Sequence, residues 1–165
     1  MRLTNGFTLI EMLILLFILG ILSTLAIPSF YHSYQRLTLS TTAKDVLALC
    51  QLAQSTAKST DTPIRLTFTR DPNNNITSIQ TQMPHKVTKL DTPETISIPE
   101  KITLTSDLVF TSINFNSNGS WTIYALETAI NAPVLTLTFT NQKTIQQILF
   151  YAESQMIHLK SDSSI

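Results

Sequence analysis

The chain holds few groups able to do chemistry, and the most unusual of them is a carboxylate set in an apolar run. Between Phe7 and Ile27 the only ionisable side chain is Glu11. An unpaired carboxylate in lipid costs about 2.5 kcal/mol or more, so Glu11 needs a partner or a neutral form. Two arrangements satisfy it. The side chain can snorkel to a water interface, or a neighbouring chain can bring a positive charge to it in a low-dielectric setting. The other candidates are sparse. Cys50 is the single cysteine, which excludes an intramolecular disulfide framework and a Cys-based zinc site. His32, His85 and His158 stand at no metal-ligand spacing and read as surface residues. Three glycines, Gly6, Gly20 and Gly119, cannot write a phosphate-cradling loop. No set of nucleophile, base and orienting group can be assembled, so neither an enzyme nor a cofactor is expected.

Charge bears on the remaining class, nucleic-acid binding. Eleven Lys and Arg balance eleven Asp and Glu among 165 residues, and only 13% of residues are charged. Binding through bulk positive charge is therefore disfavoured. A local patch is the alternative: Arg65, Arg70, Lys86, Lys89 and Lys101 gather if the segment 83–100 folds back on the hairpin before it. The interspersed Asp71, Asp91, Glu94 and Glu100 argue instead for a solvated polar face.

The elements that must position these residues follow from periodicity. The hydrophobic fraction of 43% and mean hydropathy of +0.15 are concentrated at the N-terminus. At about 1.5 Å per residue, the run from Phe7 to Ile27 is roughly 30 Å long, enough to span a bilayer core. A secretory signal peptide would place a small-x-small cleavage site after a shorter apolar core, and Ser23-Thr24-Leu25-Ala26 imitates one poorly. Farther on, Leu39, Ala43, Val46, Leu47, Cys50, Ala53 and Ala57 recur at spacings of three and four, the apolar stripe of an amphipathic helix. Cys50 falls on that stripe and reads as a buried, inert thiol. Pro28 lacks a backbone donor and should bend the segment. The expectation is one long kinked helix over 7–59.

Past Pro63 the period drops to two. Ile64, Leu66 and Phe68 alternate with Arg65, Thr67 and Thr69, and the turn sequence Asp71-Pro72-Asn73-Asn74-Asn75 leads back through 76–82 as a hairpin. The segment 83–100, with three prolines, reads as a mostly irregular loop around a short extended piece at 95–98. Strands are expected at 102–104, 108–110, 113–115, 121–126, 134–140, 148–152 and 156–160, with a turn at 116–119 and a flexible tail at 161–165. Roughly 130 residues beyond the apolar run suffice for one core.

The stretch Gly6-Phe7-Thr8-Leu9-Ile10-Glu11-Met12-Leu13, behind a short basic leader and ahead of the apolar stem, resembles the class III signal of type IV prepilins and type II secretion pseudopilins. The resemblance implies that a prepilin peptidase cuts between Gly6 and Phe7 and methylates the new amino terminus of Phe7. It also implies that Glu11 meets the Phe7 ammonium of an adjacent subunit during assembly. The implied organisation is a leader at 1–6, a transmembrane and assembly helix at 7–28, and a pilin-like periplasmic domain at 29–160, divided into an amphipathic helix half at 29–59 and a β domain at 62–160. The implied fold is α+β and type IV pilin-like, with the kinked N-terminal helix packed on an antiparallel sheet domain. The implied location is the bacterial inner membrane, crossed once, and then an assembled filament. Charge alone decides the orientation weakly, because Arg2 precedes the span and Arg36 and Lys44 follow it. The implied partners are prepilin peptidase, other pilins or pseudopilins through the N-terminal helix, the inner-membrane assembly platform and membrane lipid.

The domain is similar to minor pilins of the GspH/FimT (FimU-like) type. The similarity rests on Asp61-Thr62-Pro63-Ile64 at the end of the helix, Ile113-Asn114-Phe115 ahead of Asn118-Gly119, and a closing strand pair within 145–160. Some members of that type bind DNA through a basic Gly-Arg-x-Arg element in the last hairpin. The matching region here, Ser154 to Lys160, offers a single lysine and no arginine, so Lys160 alone should hold DNA feebly. Two functions follow: a structural subunit of a type IV pilus or a type II secretion pseudopilus, or a DNA-binding minor pilin whose contacts would come from Arg65, Arg70, Lys86, Lys89 and Lys160.

Overall fold

A computed structural model describes residues 8–82, 94–141 and 144–162, with the backbone alone at 25–29 and 162. The helix α1 (Leu9–Thr60) runs for 52 residues and includes Pro28 without interruption. Both of its ends are specified locally. At the start, the Thr8 hydroxyl accepts the Glu11 N–H at 3.3 Å, so Thr8 is the N-cap and Glu11 stands at the third helical position. At the end, Asp61 turns left-handed with φ of 50°. The Thr62 N–H then donates to the Ala57 carbonyl at 3.3 Å, a Schellman closure, and Pro63 prevents the helix from resuming.

The chain divides into two compact units, residues 1–37 and 38–165. The division falls nine residues later than the expected boundary at 28/29. Leu39 is the first residue of the core, which explains where the second unit begins.

In the second unit the helix stripe packs on two antiparallel sheets. The first runs in the order β3 (Thr95–Ser97), β2 (Ile76–Gln82), β1 (Ile64–Arg70), β5 (Ser112–Phe115), β6 (Trp121–Ala125), β7 (Thr128–Ile130). The second runs β10 (Met156–Asp162), β9 (Ile145–Tyr151), β8 (Val134–Thr140), β4 (Thr103–Ser106). The β1–β2 hairpin forms where the alternation predicts it. Its turn is closed by Asp71, whose carboxylate accepts the Asn75 backbone N–H at 2.7 Å and the Asn75 side-chain N–H at 3.0 Å.

One core serves both sheets. Leu39, Ala43, Val46, Leu49, Cys50, Ala53 and Ala57 of the helix are buried together with Ile64, Leu66, Ile113, Phe115 and Ile123 of the first sheet. Leu104, Leu135, Leu137, Phe139, Ile148 and Phe150 of the second sheet complete it. Trp121 and Phe150 meet edge-on across the sheets, with ring centroids 5.9 Å apart. Gln54 reaches from the helix to both sheets: its side-chain amide donates to the Gly119 carbonyl at 2.8 Å and to the Gln155 carbonyl at 3.0 Å.

Several elements differ from expectation: β9 begins at Ile145, three residues before its expected start, and β4 runs to Ser106, two residues past its expected end. Residues 108–110 form no strand, because side chains take their carbonyls: the Ser106 hydroxyl donates to Leu108 and Arg70 Nε to Phe110. The strand expected at 121–126 stops at Ala125, turns through Leu126 and Glu127, and returns as β7. Finally, β10 continues through Asp162, two residues past its expected end, because Ser161 and Asp162 find partners in Gln146 and Ile145 of β9. Of the loop expected at 83–100, residues 83–93 lie outside the described residues, and the short extended piece within it is β3.

Candidate assembly site and surface cations

From Leu9 to Leu22 in the first unit, Glu11 apart, the helix is apolar on every side. Leu9, Ile10, Met12, Leu13, Leu16 and Phe17 are all more than half exposed, and Ile14, Leu15, Ile18 and Leu19 are exposed around the remaining faces. A helix that is hydrophobic all round is stable only when lipid or other helices surround it. Among the described residues no helix is long and apolar enough to cross a membrane. Leu9 to Thr24, the part described with side chains, is sixteen residues of the sequence run 7–27, whereas a span takes about 20.

Glu11 stands exposed in the first turn of this helix. Its position serves the helix itself. A carboxylate near the N-terminus complements the unsatisfied N–H groups there and the positive end of the helix dipole. Thr8, its capping partner, is a residue that the periodicity argument passes over. The signal was legible as Thr-x-x-Glu directly before an apolar run. Gly6 and Phe7, the expected processing residues, lie outside the described residues.

Among the described residues the candidate cations are dispersed. Arg65 and Arg70 occupy opposite ends of β1, about 17 Å apart at the rise of a strand. Lys160 lies on β10 in the other sheet, exposed. Lys101 follows β3, also exposed, and Lys86 and Lys89 are outside the described residues. Arg70 spends its donors internally: Nε to the Phe110 carbonyl at 3.3 Å, Nη1 to the Asn74 carbonyl at 2.9 Å and Nη2 to the Ser106 hydroxyl at 2.8 Å. Its guanidinium lies 5.2 Å from the Phe110 ring centroid, and partial burial lowers its pKa. Since Ser106 ends β4, Arg70 ties the first sheet to the second. Arg65 is exposed on the outer face. Its Nε donates to Asn114 Oδ1 at 3.0 Å, and its guanidinium lies 5.9 Å from the Tyr124 ring centroid.

The other reactive types are quiet. Cys50 is fully buried and desolvation pushes its thiol up to about 12. His32 and His158 are exposed; His158 packs edge-on against Tyr151 at 6.1 Å between centroids. His85 lies outside the described residues. Among the described residues no group of three His, Cys, Asp or Glu side chains is placed to hold a metal ion.

Comparison with known proteins bears on both units. Residues 1–27 match the family described as the prokaryotic N-terminal methylation motif. The fold matches the crystal structure of the Pseudomonas aeruginosa (strain PAO1) type IV minor pilin FimU in space group P21. That likeness has 14% identity, covers 78% of this chain and 96% of that one, and has a TM-score of 0.55. The same pilin in space group P65 matches at 13% identity over 76% of this chain and 98% of that one, with a TM-score of 0.53. No curated protein matches the chain in sequence. The architecture is thus that of a type IV pilin, α+β, with an N-terminal helix packed on antiparallel sheets. The motif implies processing by prepilin peptidase and assembly with other pilins.

Proposed function

We propose that this type IV pilin-like chain is a minor pilin of a type IV pilus or a pseudopilin of a type II secretion pseudopilus. Prepilin peptidase cuts it between Gly6 and Phe7 and methylates the Phe7 amine. The subunit waits in the bacterial inner membrane, crossing it once with its domain on the periplasmic side, and the assembly platform lifts it into the filament. Pro28 supplies a bend between the apolar half of the helix and the half that carries the domain.

The observation that carries this reading is a helix start that is apolar on every face except for one carboxylate, within a methylation motif. In lipid that carboxylate is costly. Opposite the Phe7 ammonium of an adjacent subunit it becomes half of an ion pair in a medium of low dielectric, where attraction is strong and a lone partner is heavily penalised. Pairing therefore favours one axial position over its neighbours and supplies register, while the apolar side chains supply contact.

Two substitutions separate charge from side-chain shape. The Thr8 cap is made to the backbone N–H of residue 11 and survives both. Glu11→Ala removes the carboxylate together with its side chain, whereas Glu11→Gln keeps the shape and removes only the charge. Both variants are expected to insert in the membrane and to be processed, and both to fall at least tenfold in filament incorporation, read by immunoblot of sheared filaments. Normal incorporation of Glu11→Gln refutes the pairing role. Mass spectrometry of the mature chain checks the processing step: the expected N-terminus is N-methylated Phe7.

A DNA-uptake role is the second reading, resting on Arg65 and Lys160 as exposed cations. Against it, Arg70 holds its donors within the domain. Salt-sensitive retardation of DNA by the full chain in detergent is the result that would favour this reading.

A further inference from the structure

The turn between β6 and β7 is made of residues that its geometry penalises. Ala125 pairs with Thr128 across a two-residue turn, and both turn residues, Leu126 and Glu127, have positive φ, 46° and 70°. Such a turn suits Asn-Gly, because in the left-handed region a Cβ crowds the following carbonyl. Leu126 has no polar side chain with which to offset that crowding, and it is 87% exposed, so packing within the domain does not offset it either. Strain held at a surface position without local compensation is a feature of sites that act on something else.

Beside the turn lies an open cleft of about 330 Å³ lined by Arg65, Thr111, Ser112, Tyr124, Leu126 and Glu127. Its floor is fixed. The Thr111 N–H and hydroxyl both donate to the Tyr124 carbonyl, at 2.8 and 3.0 Å. Arg65 is held at one point by Asn114 and steadied over the Tyr124 ring, while its two terminal nitrogens have no hydrogen-bond partner among the described residues. A guanidinium oriented in this way, with its fork open, is preorganised for a carboxylate. The other exposed groups of the rim are Thr111, whose hydroxyl is held by the Tyr124 carbonyl, an apolar side chain, Leu126, and a carboxylate, Glu127.

We propose that this cleft docks another pilin-like subunit, which seats one carboxylate on the Arg65 fork and packs an adjoining apolar side chain on Leu126 and Tyr124. The proposal rests on the filament-subunit reading above. A single carboxylate fits better than a nucleic-acid strand, because Glu127 repels a run of phosphates and Leu126 gains only from an apolar partner. Leu126 is retained against its backbone preference because, in the bound state, it is buried.

The test places the photo-crosslinking residue p-benzoylphenylalanine at position 126 of the full chain in filament-assembling cells, with position 16 in the apolar helix as a control. Position 126 is expected to crosslink a pilin subunit at a segment containing Asp or Glu. Arg65→Glu should cut the yield at least tenfold without changing the crosslink from position 16, and a Lys in place of the partner's acid should restore it. Silence at 126 while 16 crosslinks, capture of DNA or lipid alone, or indifference to Arg65→Glu overturns the docking and leaves the filament reading standing. Silence at both positions overturns both. The strain is read separately. Leu126→Asn with Glu127→Gly should raise the thermal midpoint of the full chain by about 3–6 °C and abolish crosslinking from a probe at position 129. A variant that is no more stable, or that is more stable and docks equally well, overturns the account.

Discussion

Burial of Cys50 has a chemical consequence that can be read in solution. With the thiol pushed up to about 12 from an ordinary value near 9.0, the thiolate fraction at neutral pH falls about a thousandfold. Alkylation of the native protein by iodoacetamide at pH 7 is expected to be slower than that of a free cysteine by about that factor, and to reach the free rate in denaturant. The folded state holds this proton more tightly than the unfolded one, so the stability involved is complete below the unfolded value near pH 9 and is lost as pH rises toward 12. A Cys50→Ala variant should show a flatter decline of thermal midpoint above pH 9, measured by circular dichroism. Residues of this kind are legible in a sequence because helical spacing alone places them. Arg70 is not. A charged residue at the end of a hairpin strand looks like a surface cation. One donor finds the Asn74 carbonyl in its own hairpin turn, but the other two find the Phe110 carbonyl and the Ser106 hydroxyl only because a nonlocal loop and a second sheet arrive beside it.

At the scale of elements, the end of α1 organises two turns that are far apart in the chain. Gln54 bonds the carbonyls of Gly119 and Gln155. Lys58 lies so close over Gly119 that an added Cβ would fall on its side chain, and Gly119 itself has φ of 84°. Gln54→Ala removes two donors from partly buried carbonyls and should cost about 1–3 kcal/mol. Gly119→Ala should cost about 1–2 kcal/mol, chiefly from the left-handed backbone, since the Lys58 side chain can swing away. In urea denaturation the double variant should lose about the sum of the two, because one change removes a hydrogen bond and the other strains the backbone. How legible each element was depended on its punctuation. The hairpin β1–β2 announced itself through alternation and an Asp-Pro-Asn turn, and the helix end through Pro63. The turn into β7 carried no such marker, because Leu and Glu stand where Asn and Gly would signal it. Residues 108–110 are apolar enough to suggest a strand, yet Phe110 earns its burial beneath Arg70 rather than in a ladder.

At the scale of the whole molecule, the two units answer to different surroundings. Every core side chain from Leu39 to Ile157 belongs to residues 38–165, whereas the apolar side chains of Leu9 to Leu22 are exposed. Stability of the second unit therefore owes nothing to lipid or filament, and a fragment beginning at Thr38 should fold alone as a cooperative unit. The helix half is indispensable to it. A fragment beginning at Thr62 lacks Leu39, Val46, Leu49 and Cys50 along with three buried alanines. At about 1.5–3 kcal/mol for each large buried side chain, that loss rivals the whole 5–15 kcal/mol by which a domain is held folded. Differential scanning calorimetry should show a single sharp transition for 38–165 and none for 62–165. A cooperative transition in the shorter fragment would mean that the two sheets make a sufficient core between themselves, and that the helix stripe is docked on a domain already stable without it.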